Sequence, residues 1–167
     1  MDLIRLHIPY SFIRHRTRLA WRDVRFGFVN EIIDPHVPIE LAIDRIIECE
    51  NPPESLVDLA GASKDDPILH LVDQLACEEP EGSDEETRDK WLYLVLAWGY
   101  EYQEALSDPL DWVTLVYADF DYPAQIVKFV KFMPTDEPPP ESADAAEIRL
   151  FEHWKQYLEE SATRYST

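Results

Sequence analysis

Glycine occurs only four times in 167 residues, and no P-loop, Rossmann glycine pattern or G-x-S-x-G elbow is present. Cysteine occurs twice. Cys49 and Cys77 have no metal-ligand spacing and are too few for a disulfide framework. Neither has an adjacent histidine or basic residue to activate it, and both read as half-buried residues at helix ends. No apolar run approaches the roughly 20 residues that span a bilayer. The opening "MDLIRLHIPYSFIRHR" is interrupted by Arg5, His7 and Pro9 and lacks the apolar core of a secretory signal. A cytoplasmic location is therefore expected. The five histidines include no i, i+4 pair and no H-E-x-x-H, and His70 and His153 read as packing residues within helices.

Positive charge is also scarce. Fifteen Lys and Arg stand against 34 Asp and Glu, a net charge of −19. The imbalance is uneven: residues 1–25 hold six arginines against Asp2 and Asp23, so the remainder carries −23. Such acidity argues against a nucleic-acid partner, which demands phosphate neutralisation, and against an anionic membrane surface. It favours a basic protein partner, approached with electrostatic steering, or simply serves solubility. The arginines from Arg14 to Arg25 are expected to offset the chain's own acids rather than to bind an anionic ligand.

What is abundant is apolar residues, 46% of the chain, enough for one domain with a real core. Their spacing is helical. In "PIELAIDRIIE" Ile39, Ala42, Ile43, Ile46 and Ile47 fall on one stripe, with Pro38 in the first turn. "PPESLVDLAGA" reads as a short helix ending near Gly61, and Asp66-Pro67 as the capped start of "PILHLVDQLACEE". The acidic loop at 78–86 is expected to be solvated and mobile, and Ser83 with Glu86 forms a capping-box pattern. The next helix, about residues 84–104, is apolar on every side from Trp91 to Trp98 and should be the central buried element. Gly99 within it suggests a close helix crossing.

Asp108 precedes Pro109 in an N-cap and N1 pattern. "YPAQIVKFVKFM" places Ile126, Phe129, Val130 and Met133 on one helical face, with Lys128 and Lys131 opposite. A stiff proline-rich connector at 134–142 leads to a last helix that should bury Leu150, Phe151, Trp154, Tyr157 and Leu158. "RLAWRDVRFGFVNEI" reads as another helix, while "LIRLHI" admits a short strand. The expectation is an all-α single domain, residues 1–167, of seven or eight helices.

"DFD", Asp119 and Asp121, poses the chemical question. An EF-hand count from Asp119 puts Ala124 at the glycine position and Val130 at the twelfth, so that signature fails. A looser divalent-metal site from Asp108, Asp111, Asp119 and Asp121 remains an alternative. The favoured reading is a joint between helices: Tyr122 before Pro123 is forced out of the α region, and the two carboxylates cap the following helix.

"LAWRDVRFG", "KWLYLVLAW" and "DPLDWVTLVYADFDYPAQIVKFVKFMP" together resemble a bacterial domain-of-unknown-function family of small, acidic, mostly helical proteins. Some members are encoded among polymorphic-toxin immunity genes. The resemblance runs from Ile8 to the last helix. It is strongest at Asp108 to Leu110, Tyr117 to Pro123 and Met133-Pro134, and includes Trp21, Asp23, Gly27, Lys90 and Trp91. Ala20 stands where the pattern has a hydroxyl residue, so that helix lacks its usual cap. The resemblance implies no catalytic residue and no cofactor. The leading functional expectation is a non-catalytic immunity-type protein that neutralises a basic toxin domain, such as a nuclease. The alternatives are the metal-dependent enzyme or regulator and an acidic housekeeping adaptor. Candidate contacts are Glu78, Glu79, Glu81, Asp84 and Glu85 in the loop, Asp108, Asp111, Asp119 and Asp121, and the aromatics Tyr102 and Trp112 as anchors.

Overall fold

Helices dominate because the apolar residues recur at helical spacing, while most of the thirteen prolines fall between helices or in their first turns. The computed structural model describes residues 6–166 and is all-α, with no strand among the described residues. In order come α1 (Tyr10–Ile13), α2 (Trp21–Val29), α3 (His36–Glu48), α4 (Glu54–Gly61), α5 (Leu69–Glu78), α6 (Asp84–Glu101), α7 (Pro109–Asp119) and α8 (Ala143–Tyr165). Two 3-10 segments, Gln103–Ala105 and Ala124–Phe129, flank α7. Within "LIRLHI", Leu3, Ile4 and Arg5 lie outside the described residues. Leu6 to Ile8 form no strand, although the Ile8 N–H donates to the Ile32 carbonyl at 2.9 Å. No helix among the described residues is long and apolar enough to cross a membrane.

Contacts group the described residues into two compact units, 6–91 and 92–166, and the division falls inside α6. In the first unit α3 packs on α4, α4 on α5 and α5 on α2. The buried face of α3 is Val37, Pro38, Leu41 and Ala42, not the expected isoleucine stripe. Ile43 is 45% and Ile47 80% exposed, while Ile39 and Ile46 are half-buried at the edge of that face. Asp66 does not cap α5, which starts at Leu69; its Oδ2 accepts from the Ser63 N–H at 2.7 Å and closes a turn. His70, Cys49 and Cys77 are exposed rather than packed or half-buried.

Every residue of α6 from Trp91 to Ala97 is buried, which explains a helix without a polar face in that stretch. In the second unit a Cβ at Gly99 would overlap the Trp112 ring, so glycine is what lets that ring close on α6. Trp154 of α8 is wholly buried among Tyr100, Trp112, Phe129 and Phe151, with ring centroids 5.2 to 6.3 Å away. The stretch expected as an α-helix after Pro123 is a 3-10 segment that stops at Phe129. Its buried Ile126 and Phe129 stand three residues apart, the spacing that eclipses side chains in a 3-10 helix. The connector at 134–142 is held to α8: Arg149 donates to the Pro138 carbonyl at 2.7 Å, and His153 Nε2 lies 2.8 Å from Glu137. Ser142 caps α8 by accepting from the Ala145 N–H.

Candidate functional site

Asp108 opens α7 as its sequence promises. Its Oδ1 accepts the N–H groups of Leu110 and Asp111, both at 3.0 Å, with Pro109 at the first helical position. Lys131 then bridges Asp108 at 3.0 Å and Asp111 at 2.8 Å. The backbone N–H of Asp111, with the Lys131 ammonium, holds the Asp108 carboxyl below its ordinary pKa. The two carboxylates, Asp111 foremost, raise that of Lys131. Both aspartates remain well exposed, so this clamp fixes the stretch after Phe129 while still presenting charge to solvent.

The DFD joint is real, but its chemistry differs from the expected cap. Phe120 ends α7, and Asp121 and Tyr122 adopt left-handed backbone at φ 61° and 57°. The Tyr122 N–H donates to the Tyr117 carbonyl at 2.8 Å and the Asp121 N–H to the Ala118 carbonyl at 3.2 Å. This is a Schellman termination with aspartate where glycine is usual. The following 3-10 segment receives no side-chain cap, so Asp119 and Asp121 do not serve its N-terminus. Asp119 is half-buried and Asp121 exposed. The Asp108–Asp111 and Asp119–Asp121 pairs occupy opposite ends of α7, roughly 16 Å apart at 1.5 Å per residue. Among the described residues no three carboxylate, imidazole or thiol groups gather as a metal ion requires.

The acidic loop is more anchored than its composition suggests. Glu79 Oε1 and Oε2 accept the Trp21 and Arg22 N–H groups at 2.7 and 3.2 Å, supplying the cap that Ala20 cannot. Arg22 donates to the Pro80 carbonyl and lies where a Cβ of Gly82 would be. Glu78 and Glu81 are exposed, and Asp84 and Glu85 stand in the first turn of α6, where the helix dipole favours them. Trp112 is half-buried against Gly99 and Trp154 and offers no free anchor, whereas Tyr102 is 44% exposed, its ring 4.2 Å from Trp98.

Two features had weak sequence signals. The first is a buried knot around Asp23, which is 2% exposed. Its carboxylate accepts from the Ala20 N–H (2.8 Å), the Thr87 hydroxyl (2.9 Å) and Lys90 Nζ (2.6 Å), while its carbonyl accepts from the Trp91 indole N–H. A Cβ at Gly27 would overlap the same indole. The second is a charged trough between α1 and α3. Tyr10 donates to Asp44 at 2.8 Å, Arg14 faces Asp44, and Glu48 takes Arg18 and Arg45 around a cavity of about 180 Å³. Burial, then the Asp44 bond, raises the Tyr10 pKa above its ordinary value. With Arg25 on Asp73 and Arg22 on Glu79, four of the five arginines from Arg14 to Arg25 face acids of their own chain, while Arg16 donates to the Phe12 carbonyl.

A family model for an uncharacterized protein conserved in bacteria matches residues 10–162. The chain belongs to this family, DUF2247. No curated protein and no solved structure matches it. In this DUF2247 chain the residues that carry the resemblance have separate places. Asp23, Gly27, Lys90 and Trp91 build the buried knot, Trp21 starts α2 with its N–H on Glu79, and Asp108 to Leu110 and Tyr117 to Pro123 build the two ends of α7.

Proposed function

We propose that this chain is a non-catalytic, cytoplasmic, immunity-type protein that binds and neutralises a basic toxin domain. The supporting observation is how charge is shared out. Arg14, Arg18, Arg22, Arg25, Lys90 and Lys131 each face a carboxylate of their own chain. Glu81, Asp84, Glu85, Glu86 and Asp121 are exposed. These cations are thus neutralised internally, and the chain keeps an acidic excess of −19. An acidic surface of this kind attracts a protein whose own cations are meant for phosphates, and raises its association rate. A metal-dependent reading would draw on Asp108, Asp111, Asp119 and Asp121, which α7 holds apart in pairs.

The test is capture of the tagged chain's partners from its native lysate at low salt, with the adjacent gene co-expressed. The expected result is one basic protein, eluted as salt rises and inhibited in its own activity by the chain. A column that retains nothing sinks the proposal. A retained partner without toxic activity would make the chain an adaptor.

A further inference from the structure

Phe132 is 100% exposed and sits at φ 63°. Left-handed backbone is a genuine outlier for a bulky side chain, and glycine would adopt it without penalty. Asp121 and Tyr122 share this conformation, but there the Schellman bonds of α7 account for it. At Phe132 the backbone lies in a turn with Lys131, but no packing covers the ring. Its neighbours are held firmly. Val130 is buried, and Lys131 is clamped between Asp108 and Asp111, so the chain is pinned up to the residue whose ring is thrust into water. At the other end of the same 3-10 segment, Tyr122 is 63% exposed with its ring edge on Tyr117. A large ring held wholly in water at such a position points to use outside the chain, and a rigid exposed aromatic is the usual anchor of a protein contact.

We infer that Phe132, with Tyr122 before the other end of the 3-10 segment, anchors this chain in an apolar pocket of a basic protein, whose rim cations meet Asp111 and Asp121. The inference rests on the binding function proposed above and adds its location. Residues 108–132 carry four aspartates against two lysines, which matches a cationic rim. A second copy is a poor occupant, since each chain carries −19.

A photoreactive phenylalanine analogue placed singly at positions 122, 132, 47 and 81 in the native host tests this directly. Adducts with one basic protein at 132 and 122, and none at 47 or 81, are expected. In the lysate capture, Phe132→Gly should lower recovery of that protein at least about tenfold. The same variant should unfold no earlier than the parent chain, because it relieves the backbone. Adducts with a basic protein through 47 or 81 alone overturn the location and leave the binding function standing. Adducts at 132 with lipid, with a second copy or with a non-basic protein, or no adducts at all, overturn the inference. So does a fall in Tm of more than about 4 °C for Phe132→Gly, which would assign the ring to the fold.

Discussion

Lys90 reaches Asp23 at 2.6 Å in the first unit, and Lys131 reaches Asp108 and Asp111 at 3.0 and 2.8 Å in the second. The partners are chemically alike and the distances similar, yet the surroundings differ. Asp23 is 2% exposed and its oxygens are filled by Lys90, Thr87 and the Ala20 N–H, so each member depends on the others. Asp108 and Asp111 are open to water, which can replace the ammonium at small cost. Removing one partner of a buried pair strands the other, whereas an exposed pair merely rehydrates. The first arrangement therefore belongs to the fold, and the second is free to belong to recognition.

The largest expected effect tests that division. Asp23→Ala should cost about 3–5 kcal/mol in urea unfolding, because Lys90 and Thr87 lose their acceptor in a closed site. A cost below about 1 kcal/mol would erase the distinction between the two pairs. Gly27→Ala and Gly99→Ala come next, at about 1–3 kcal/mol each, since their methyl groups would overlap the Trp91 and Trp112 rings. Gly61→Ala, which meets nothing within 4 Å, should instead be neutral or gain up to about 1 kcal/mol.

On the exposed side, Asp108→Ala should cost about 1 kcal/mol, mostly through the lost cap of α7. Lys131→Met should cost about 0.2–1 kcal/mol and less at high salt. Their pH dependences run in opposite directions. The folded pKa of Asp108 is lowered, so its contribution is present above the ordinary carboxyl range and lost as pH falls through the folded value. That of Lys131 is raised, so its contribution is present below its ordinary pKa and lost as pH rises through the folded value. Comparing unfolding of the parent and Lys131→Met chains across pH separates the two limbs.

The smallest effect concerns the cap supplied from a distance. Ala20→Ser should add under about 0.5 kcal/mol while Glu79 is present, and nearer 1 kcal/mol in a Glu79→Ala background. Equal gains in both backgrounds would show that Glu79 does not serve α2.

Features set by near neighbours were legible before any coordinates. Asp108-Pro109, the seven buried residues from Trp91 and the tight approach at Gly99 follow from local chemistry or from a pattern too apolar to face water. The α3 stripe was misplaced because Leu41 and Val37 compete with the isoleucines for the core, and only α1 and α4 decide which face they cover. The segment after Pro123 has helical spacing, but its buried Ile126 and Phe129 fit the three-residue repeat of a 3-10 turn as well as an α-helical face. For the candidate contacts, local sequence marks a carboxylate as acidic but not as occupied. Glu79 serves α2 and Trp112 closes on Gly99, whereas Asp111 and Asp121 face outward. The exposed ring of Phe132 has no marker in "VKFMP", because nothing in that stretch signals a left-handed backbone at a phenylalanine.

The bond from Glu79 to the start of α2 also bears on the order of folding. The amides of Trp21 and Arg22 find their acceptor 58 and 57 residues along the chain. A helix can elongate in nanoseconds, but closing a loop of that length must wait for collapse. Those two amides should therefore gain protection from hydrogen exchange later than the interior of the same helix, acting as a clock for the moment when α5 and the loop after it come home.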